Sequence, residues 1–380
     1  MFIDVLTTNA RALLVLLALP MLAPAEQASR FLSVNPGWYH TCALAADGTA
    51  VCWGSNKNGQ LGRGTTGAGQ SIPRPVSGSP KYIRLAAGAN HTCGLTANGV
   101  VQCWGYNAFG QLGVKTPDVS PTPVIVQTQT PVRFVEIAAG FTHTCAIAQG
   151  GAAWCWGDER AGQVGDGGSG GWSWVPSRVR APDGTRFSAI GTGNSFTCGL
   201  ADSQAVYCWG MGTYNSLGTP ANERCATGRN QSAPCATKPL AVGTVRARAL
   251  AVGSSHACVI AIDGRTLCWG GSFGGTPKPI DGGHSFAMLA AGSNHDCGLE
   301  NGTVLCWGWN TSGQLGDGST DSSTLPVAVK TTSTFGSVRA GASHACAITA
   351  DQSLVCWGDN QDGQLGNGSI TPSSTPVHVQ

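Results

Sequence analysis

Seven times this 380-residue chain places a cysteine, a short stretch centred on a turn, and then Cys-Trp-Gly. The pairs are Cys42 with Cys52, Cys93 with Cys103, Cys145 with Cys155, Cys198 with Cys208, Cys258 with Cys268, Cys297 with Cys306 and Cys346 with Cys356. Aligned on Trp53, Trp104, Trp156, Trp209, Trp269, Trp307 and Trp357, the units are spaced by 51, 52, 53, 60, 38 and 50 residues. A unit of this size running nearly end to end argues for one closed array rather than several domains.

The spacing can be tested against hairpin geometry. Pairing Cys42 with Cys52 leaves Ala46-Asp47-Gly48 as a three-residue loop with glycine at the left-handed position, and the same centring gives Ala97-Asn98-Gly99 and Ile262-Asp263-Gly264. The sixth unit is one residue shorter between Cys297 and Cys306, which leaves Asn301-Gly302, the favoured two-residue type I′ turn. In both cases the cysteines stand three pairs beyond the turn, as non-hydrogen-bonded partners with Cα atoms about 4.5 Å apart. Such neighbours suit cross-strand disulfides. An eighth pair, Cys225 with Cys235, lies outside the pattern and is expected to close its own loop.

Alternation sends Cys42, Leu44, Ala50 and Cys52 to one face and Ala43, Val51 and Trp53 to the other. Both faces are apolar, so each sheet must be covered on both sides. Blades of a propeller cover one another in this way. No 3.6-residue periodicity of helical length follows the N-terminus, and 55 glycines suit many tight turns. The expected fold is all-β, a seven-bladed β-propeller of short antiparallel blades at approximately 31–76, 81–126, 132–180, 186–242, 246–281, 286–330 and 335–380.

The N-terminus reads as a signal peptide over 1–25. An apolar run from Ala12 to Leu22 precedes Ala23-Pro24-Ala25, a small-residue cleavage site, and Pro20 interrupts a run already too short to span a membrane. The mature domain is then 26–380, secreted or periplasmic, with no stable membrane span after cleavage. Export agrees with complete pairing of the cysteines. Only 11% of residues are charged, 22 basic against 20 acidic, so there is no broad field for nucleic acid or anionic lipid.

Two motifs resemble the regulator of chromosome condensation repeat family, here in an exported, disulfide-rich variety. They are Ala-Ala-Gly-x-x-His (Ala86 to His91, Ala138 to His143, Ala290 to His295) and Trp-Gly-x-Asn-x-x-Gly-Gln-Leu-Gly (Trp53 to Gly62, Trp104 to Gly113, Trp307 to Gly316, Trp357 to Gly366). The resemblance covers roughly 31–380 and implies a seven-bladed propeller used for protein binding. Family members include a nucleotide exchange factor for a small GTPase, inhibitors of secreted β-lactamase and a light sensor built on clustered tryptophans. Those roles do not transfer with the fold.

The remaining constellations favour structure over chemistry. His40, His91, His143, His256, His295 and His344 stand in His-x-Cys, but no Cys-x-x-Cys knuckle exists and each cysteine already has a hairpin partner. No metal is expected, and the histidines are read as hydrogen-bonding backbone at blade boundaries. Phe196 takes the place of one of them. The seven tryptophans are read as inter-blade core, and the Gly-Gln-Leu-Gly tetrads as turns, since no Lys-Ser/Thr follows them. No catalytic motif is present, and no catalytic residue or cofactor is assigned.

Function on a repeat scaffold tends to sit where the repeats differ. The third repeat inserts Asp166 to Trp174 after its turn, the fourth inserts roughly Thr219 to Lys238, and the fifth lacks the Gly-Gln-Leu-Gly segment. Both insertions follow the same turn, so they are expected on one rim beside the gap in the fifth blade. Trp172, Trp174, Arg178, Arg224 and Arg229 are the candidate binding residues, because aromatic and arginine side chains are the usual anchors of interfaces. The expected function is a monomeric, disulfide-stabilised binding scaffold for a protein or cell-surface ligand. The alternatives are an enzyme with its active site in the propeller channel and, by family analogy, GTPase nucleotide exchange.

Overall fold

A computed structural model describes residues 31–78, 80–228 and 231–380; the expected signal peptide and Arg229 lie outside them. The seven units form seven antiparallel blades. In blade 1 the strands Phe31–Pro36, His40–Ala45, Ala50–Asn56 and Gly67–Pro75 pair in chain order, from the central channel outward. Five blades are separate four-stranded sheets. Blades 4 and 5 are joined by one 22-residue strand, Gln231–Val252, which pairs first with Ala205–Met211 and then with His256–Ala261.

The hairpins have the expected register. Ala45 and Thr49 close the first turn, Gly48 has φ 82°, and Cys42 lies opposite Cys52. In blade 6, Asn301 and Gly302 both adopt positive φ, 51° and 79°, as a type I′ turn requires. The same opposition places Cys93 against Cys103, Cys145 against Cys155, Cys198 against Cys208, Cys258 against Cys268, Cys297 against Cys306 and Cys346 against Cys356. All seven repeat pairs are disulfides, with Cα separations of 4.0–4.1 Å. The bridged strands therefore approach somewhat more closely than the ~4.5 Å expected of an unbridged pair. Cys225 is bonded to Cys235 as well, across 5.7 Å, so all sixteen cysteines are paired.

Each blade faces two different cores. Cys42, Leu44, Ala50 and Cys52 pack against Trp104 of blade 2, while Ala43, Val51 and Trp53 pack against Cys346 and Cys356 of blade 7. Every repeat tryptophan is buried to 0–1% exposure. The ring closes by this packing, because Phe31–Pro36 stays in blade 1 and Ser373–His378 in blade 7. Around the channel, main-chain N–H groups bond to carbonyls of the next blade, as in Trp38 to Gly88 at 3.2 Å, Phe141 to Gly193 at 3.2 Å and Ala342 to Gly37 at 3.1 Å. Glycine is required at this point. A Cβ on Gly88 would lie 2.5 Å from the Gly140 carbonyl oxygen and 2.6 Å from the ring of His91.

Candidate binding face and inter-blade cleft

Each blade boundary is held by a small polar set. The tryptophan Nε1 of one blade donates to a main-chain carbonyl in the turn of the preceding blade: Trp53 to Gln364 at 2.8 Å, Trp104 to Gln60 at 2.9 Å, Trp156 to Gln111, Trp209 to Gln163 and Trp357 to Gln314 at 3.0 Å, and Trp269 to Ser216 at 3.1 Å. At four boundaries a threonine hydroxyl donates to the same carbonyl. That hydroxyl then accepts from a histidine Nε2, as between His40 and Thr92 at 2.8 Å or His344 and Thr41 at 2.9 Å. The histidines therefore bond a side chain across the boundary rather than backbone, which corrects the sequence reading. Their Nδ1 atoms are buried without partners. Burial lowers the pKa of His40, His91 and His344 to about 3, and of His143 and His295 to about 4.

Where the threonine is missing, the partner changes. Ala257 offers no acceptor, and the facing position is Phe196 in place of histidine. Ala345 offers none either, and both ring nitrogens of His295 are unpaired. At the boundary of blades 5 and 6 the threonine is replaced by Asp296, which accepts from His256 at 2.8 Å. His256 and Asp296 are 4% and 3% exposed. Burial alone would lower the His256 pKa, but the charge and hydrogen bond of Asp296 outweigh it, and the pKa is raised. Cys258 completes a cluster of metal-ligand types here, yet its sulfur is bonded to Cys268 and offers no thiolate. The same holds of the other repeat cysteines: Cys103, Cys155 and Cys306 are fully buried and bonded to their hairpin partners, and none of them lines the channel or a cleft. Their part is to staple the blade.

The shortened fifth blade leaves the boundary of blades 5 and 6 uncovered. Its fourth strand is only Lys278–Pro279, and a 3₁₀ turn, Gly271–Phe273, replaces the longer segment of the other blades. A cleft of about 610 Å³ opens over His256 and Asp296, walled by Tyr214, Phe273, Trp309 and Thr324. Trp307 is buried beneath, and its Nε1 has no partner.

The cleft belongs to a face with a distinct character. In an antiparallel blade, the loops joining the first to the second strand and the third to the fourth emerge on one side. The exposed large aromatic residues among the described ones, Tyr39, Phe141, Trp172, Tyr214 and Trp309, all lie there. Trp172 opens the fourth strand of blade 3, Trp172–Arg178, and meets Phe109 and Trp174 edge to face, with ring centres 6.2 and 6.1 Å away. Arg160 lies 4.9 Å above the Phe109 ring and is held by Asp158 through two short bonds.

The sequence-predicted residues are partly brought together. Trp172 and Trp174 share the rim facing blade 2, with Trp174 half-buried. Arg224 lies in a hairpin, Glu223–Gly228 paired with the start of Gln231–Val252, that projects past Met211 on the same face, and it bonds to Ser232 at 2.7 Å. Arg178 sits at the other end of its strand, opposite Trp154. Tyr214 and Trp309 were not singled out, His256 was read only as a boundary histidine, and the role of Asp296 was missed, although it departs visibly from the threonine or alanine of the other His-x-Cys units. In the channel, Glu136 is the carboxylate among the lining residues, flanked by Arg84 at 3.4 Å and by Arg339. No pair of acids converges there among the described residues.

Comparison with known proteins agrees with this architecture. Residues 15–276 match the RCC1-like domain, and residues 301–348 and 337–364 match the regulator of chromosome condensation (RCC1) repeat. The chain is similar to the E3 ubiquitin-protein ligase HERC2 of Homo sapiens, 28% identical over 299 residues that are 78% of this chain but only 5% of HERC2. It is also similar to the ultraviolet-B receptor UVR8 of Arabidopsis thaliana, 26% identical over 320 residues, which are 79% of this chain and 70% of the receptor. Among solved structures it resembles Prp20p of Saccharomyces cerevisiae, a protein studied for binding to Gsp1p and histones, with a TM-score of 0.75, 21% identity and coverage of 92% and 87% of the two chains. By the extent of these matches and by its propeller fold, the chain belongs to the family of RCC1-like domains.

Proposed function

We propose that this protein is exported and acts as a rigid, disulfide-stabilised scaffold that binds a protein or cell-surface ligand through the face carrying Trp172, Tyr214 and Trp309. One observation carries the reading: the exposed aromatic rings gather on one face, the face on which the fifth repeat is interrupted. Large aromatic side chains bury much area at low entropic cost, and they cluster at interface centres. Complete cysteine pairing supports export. The protein binding named for Prp20p supports the use of this propeller as a scaffold.

The test is site-specific photo-crosslinking in the exporting cell. A photoreactive residue at Trp309 or Trp172 is expected to give a discrete adduct, whereas one at Ile262, on the opposite face, gives none. Adducts confined to position 262, or retention of the protein in a reducing compartment with free thiols, would overturn the reading. Changing Trp172→Ala together with Trp174→Ala should weaken binding of the cross-linked partner.

A further inference from the structure

The cleft beside His256 has the outline of a segment that the fold uses elsewhere. At the other boundaries the Gly-Gln-Leu-Gly turn, or its variants Gly-Gln-Val-Gly and Asn-Ser-Leu-Gly, of one blade lies over the tryptophan of the next. Its first glycine meets the fourth-strand residue that follows the one opposite the Trp-Gly glycine: Gly59 against Pro121, Gly110 against Trp174, Gly313 against Ser374 and Gly363 against Ser71, all at 2.6–3.0 Å from an added Cβ. In blade 6 the register of Gly308 with Ser323 places Thr324 at that position. Thr324 is exposed, and with Ser322 and Ser323 it forms a wall of the cleft. Trp307, the counterpart of the tryptophans that such turns satisfy elsewhere, lies below the cleft rather than in its lining, and its buried Nε1 lacks an acceptor. Phe273 packs into the same core as Trp307 and takes the part of the missing leucine, but it supplies no carbonyl.

We infer that this cleft is an open seat for a peptide turn supplied by a partner protein, a turn that rests on Thr324 and lays its backbone between Tyr214 and Trp309. The inference rests on the protein-binding reading above and specifies one site for it. The occupant differs from the internal turns in one respect. Threonine donates to the turn carbonyl at four boundaries, whereas the Asp296 side chain here accepts from His256, so the incoming turn directs an N–H toward Asp296. The exposed Thr324 hydroxyl of the wall supplies a further partner for a peptide backbone. The volume suits a bound peptide loop, within the range of about 300–1,000 Å³ for ligand sites. The physical origin is that a boundary stripped of its own turn, with the His256 and Asp296 side chains on its floor, gains from an occupant that covers it.

The probe is the synthetic octapeptide Ser-Asn-Lys-Asn-Gly-Gln-Leu-Gly, the chain's own residues 55–62, titrated into the mature exported protein with its tryptophan indoles labelled with nitrogen-15. Saturable shifts of the Trp307 and Trp309 indole resonances are expected, with Trp53 and Trp104 unmoved. Thr324→Arg, an exposed substitution that leaves the fold intact, should weaken binding by about tenfold or more. Grafting Asn-Thr-Ser-Gly-Gln-Leu-Gly into the 271–275 turn should fill the seat and abolish the shifts. Absence of saturable shifts, or shifts unaffected by Thr324→Arg, overturns the cleft assignment without touching cross-linking at position 172, which tests the general reading by itself. Dimerisation abolished by Thr324→Arg would assign the occupant to a second copy of this chain and overturn the partner assignment.

Discussion

His256 Nε2 lies 2.8 Å from Asp296 Oδ1 across the boundary of blades 5 and 6, where four other boundaries pair histidine with threonine. The exchange puts a carboxylate where the other boundaries have a hydroxyl, so the pair becomes an ion pair when His256 is protonated. Its dependence on pH runs opposite to that of the five other blade-boundary histidines.

The His256 pKa is raised on folding, so the folded state binds the proton more tightly than the unfolded chain. The stabilisation is complete below the ordinary histidine pKa and is lost as pH rises through the raised value. Replacing Asp296→Thr restores the pairing of the other boundaries and removes this contribution. The melting temperature of the natural protein should therefore exceed that of the variant more at about pH 5.5 than at about pH 8.5, on either side of the histidine range. Parallel melting curves across that range would show the idea to be wrong.

Five histidines behave in the reverse way. His40, His91 and His344 fall to about 3 and His143 and His295 to about 4 because burial penalises the cation. Above the ordinary value of about 6.5 the unfolded state is neutral too and nothing is lost. As pH falls below it, the unfolded chain takes up protons that the ring refuses, and stability drops by up to about 1.4 kcal/mol per pH unit per histidine. Urea titrations at about pH 7 and about pH 5 should show a marked fall in midpoint, reduced by His344→Phe, the residue type that Phe196 already supplies at another boundary.

Trp357 and Trp307 allow a comparison. Trp357 donates to Gln314 at 3.0 Å, whereas Trp307 donates to nothing. Trp357→Phe strands a buried carbonyl and should cost about 1–3 kcal/mol beyond the lost packing. In Trp307→Phe the packing loss is similar but the orphan donor disappears with the indole. Chemical denaturation should rank Trp307→Phe as clearly the milder change.

The disulfides should also divide into two classes. Cys198–Cys208 joins neighbouring strands of a blade core, and replacing both by alanine should cost about 2–3 kcal/mol through the unfolded-state constraint, with a cavity contribution added. Cys225–Cys235 holds a projecting hairpin of blade 4. Its removal should leave the main thermal transition nearly in place while increasing proteolysis between the two cysteines. Equal losses of melting temperature would contradict the division.

The blade itself was legible in the chain because its determinants are local. Turn residues set the hairpin register, the two-residue period sets the faces, and from these follow the cysteine partners, Cys93 with Cys103 as much as Cys297 with Cys306, and the burial of Trp53 to Trp357. The interruption of the fifth repeat was visible too, as were Trp172 and Trp174. Only the tertiary structure decided what lies across each boundary, because Thr41 meets His344 over 303 residues of sequence and His256 meets Asp296 over 40. Ring closure, the separation of Arg178 from Trp172, and the open cleft over His256 and Asp296 depend on how the blades stack. Stacking sums many contacts distant in sequence, and no single repeat encodes it.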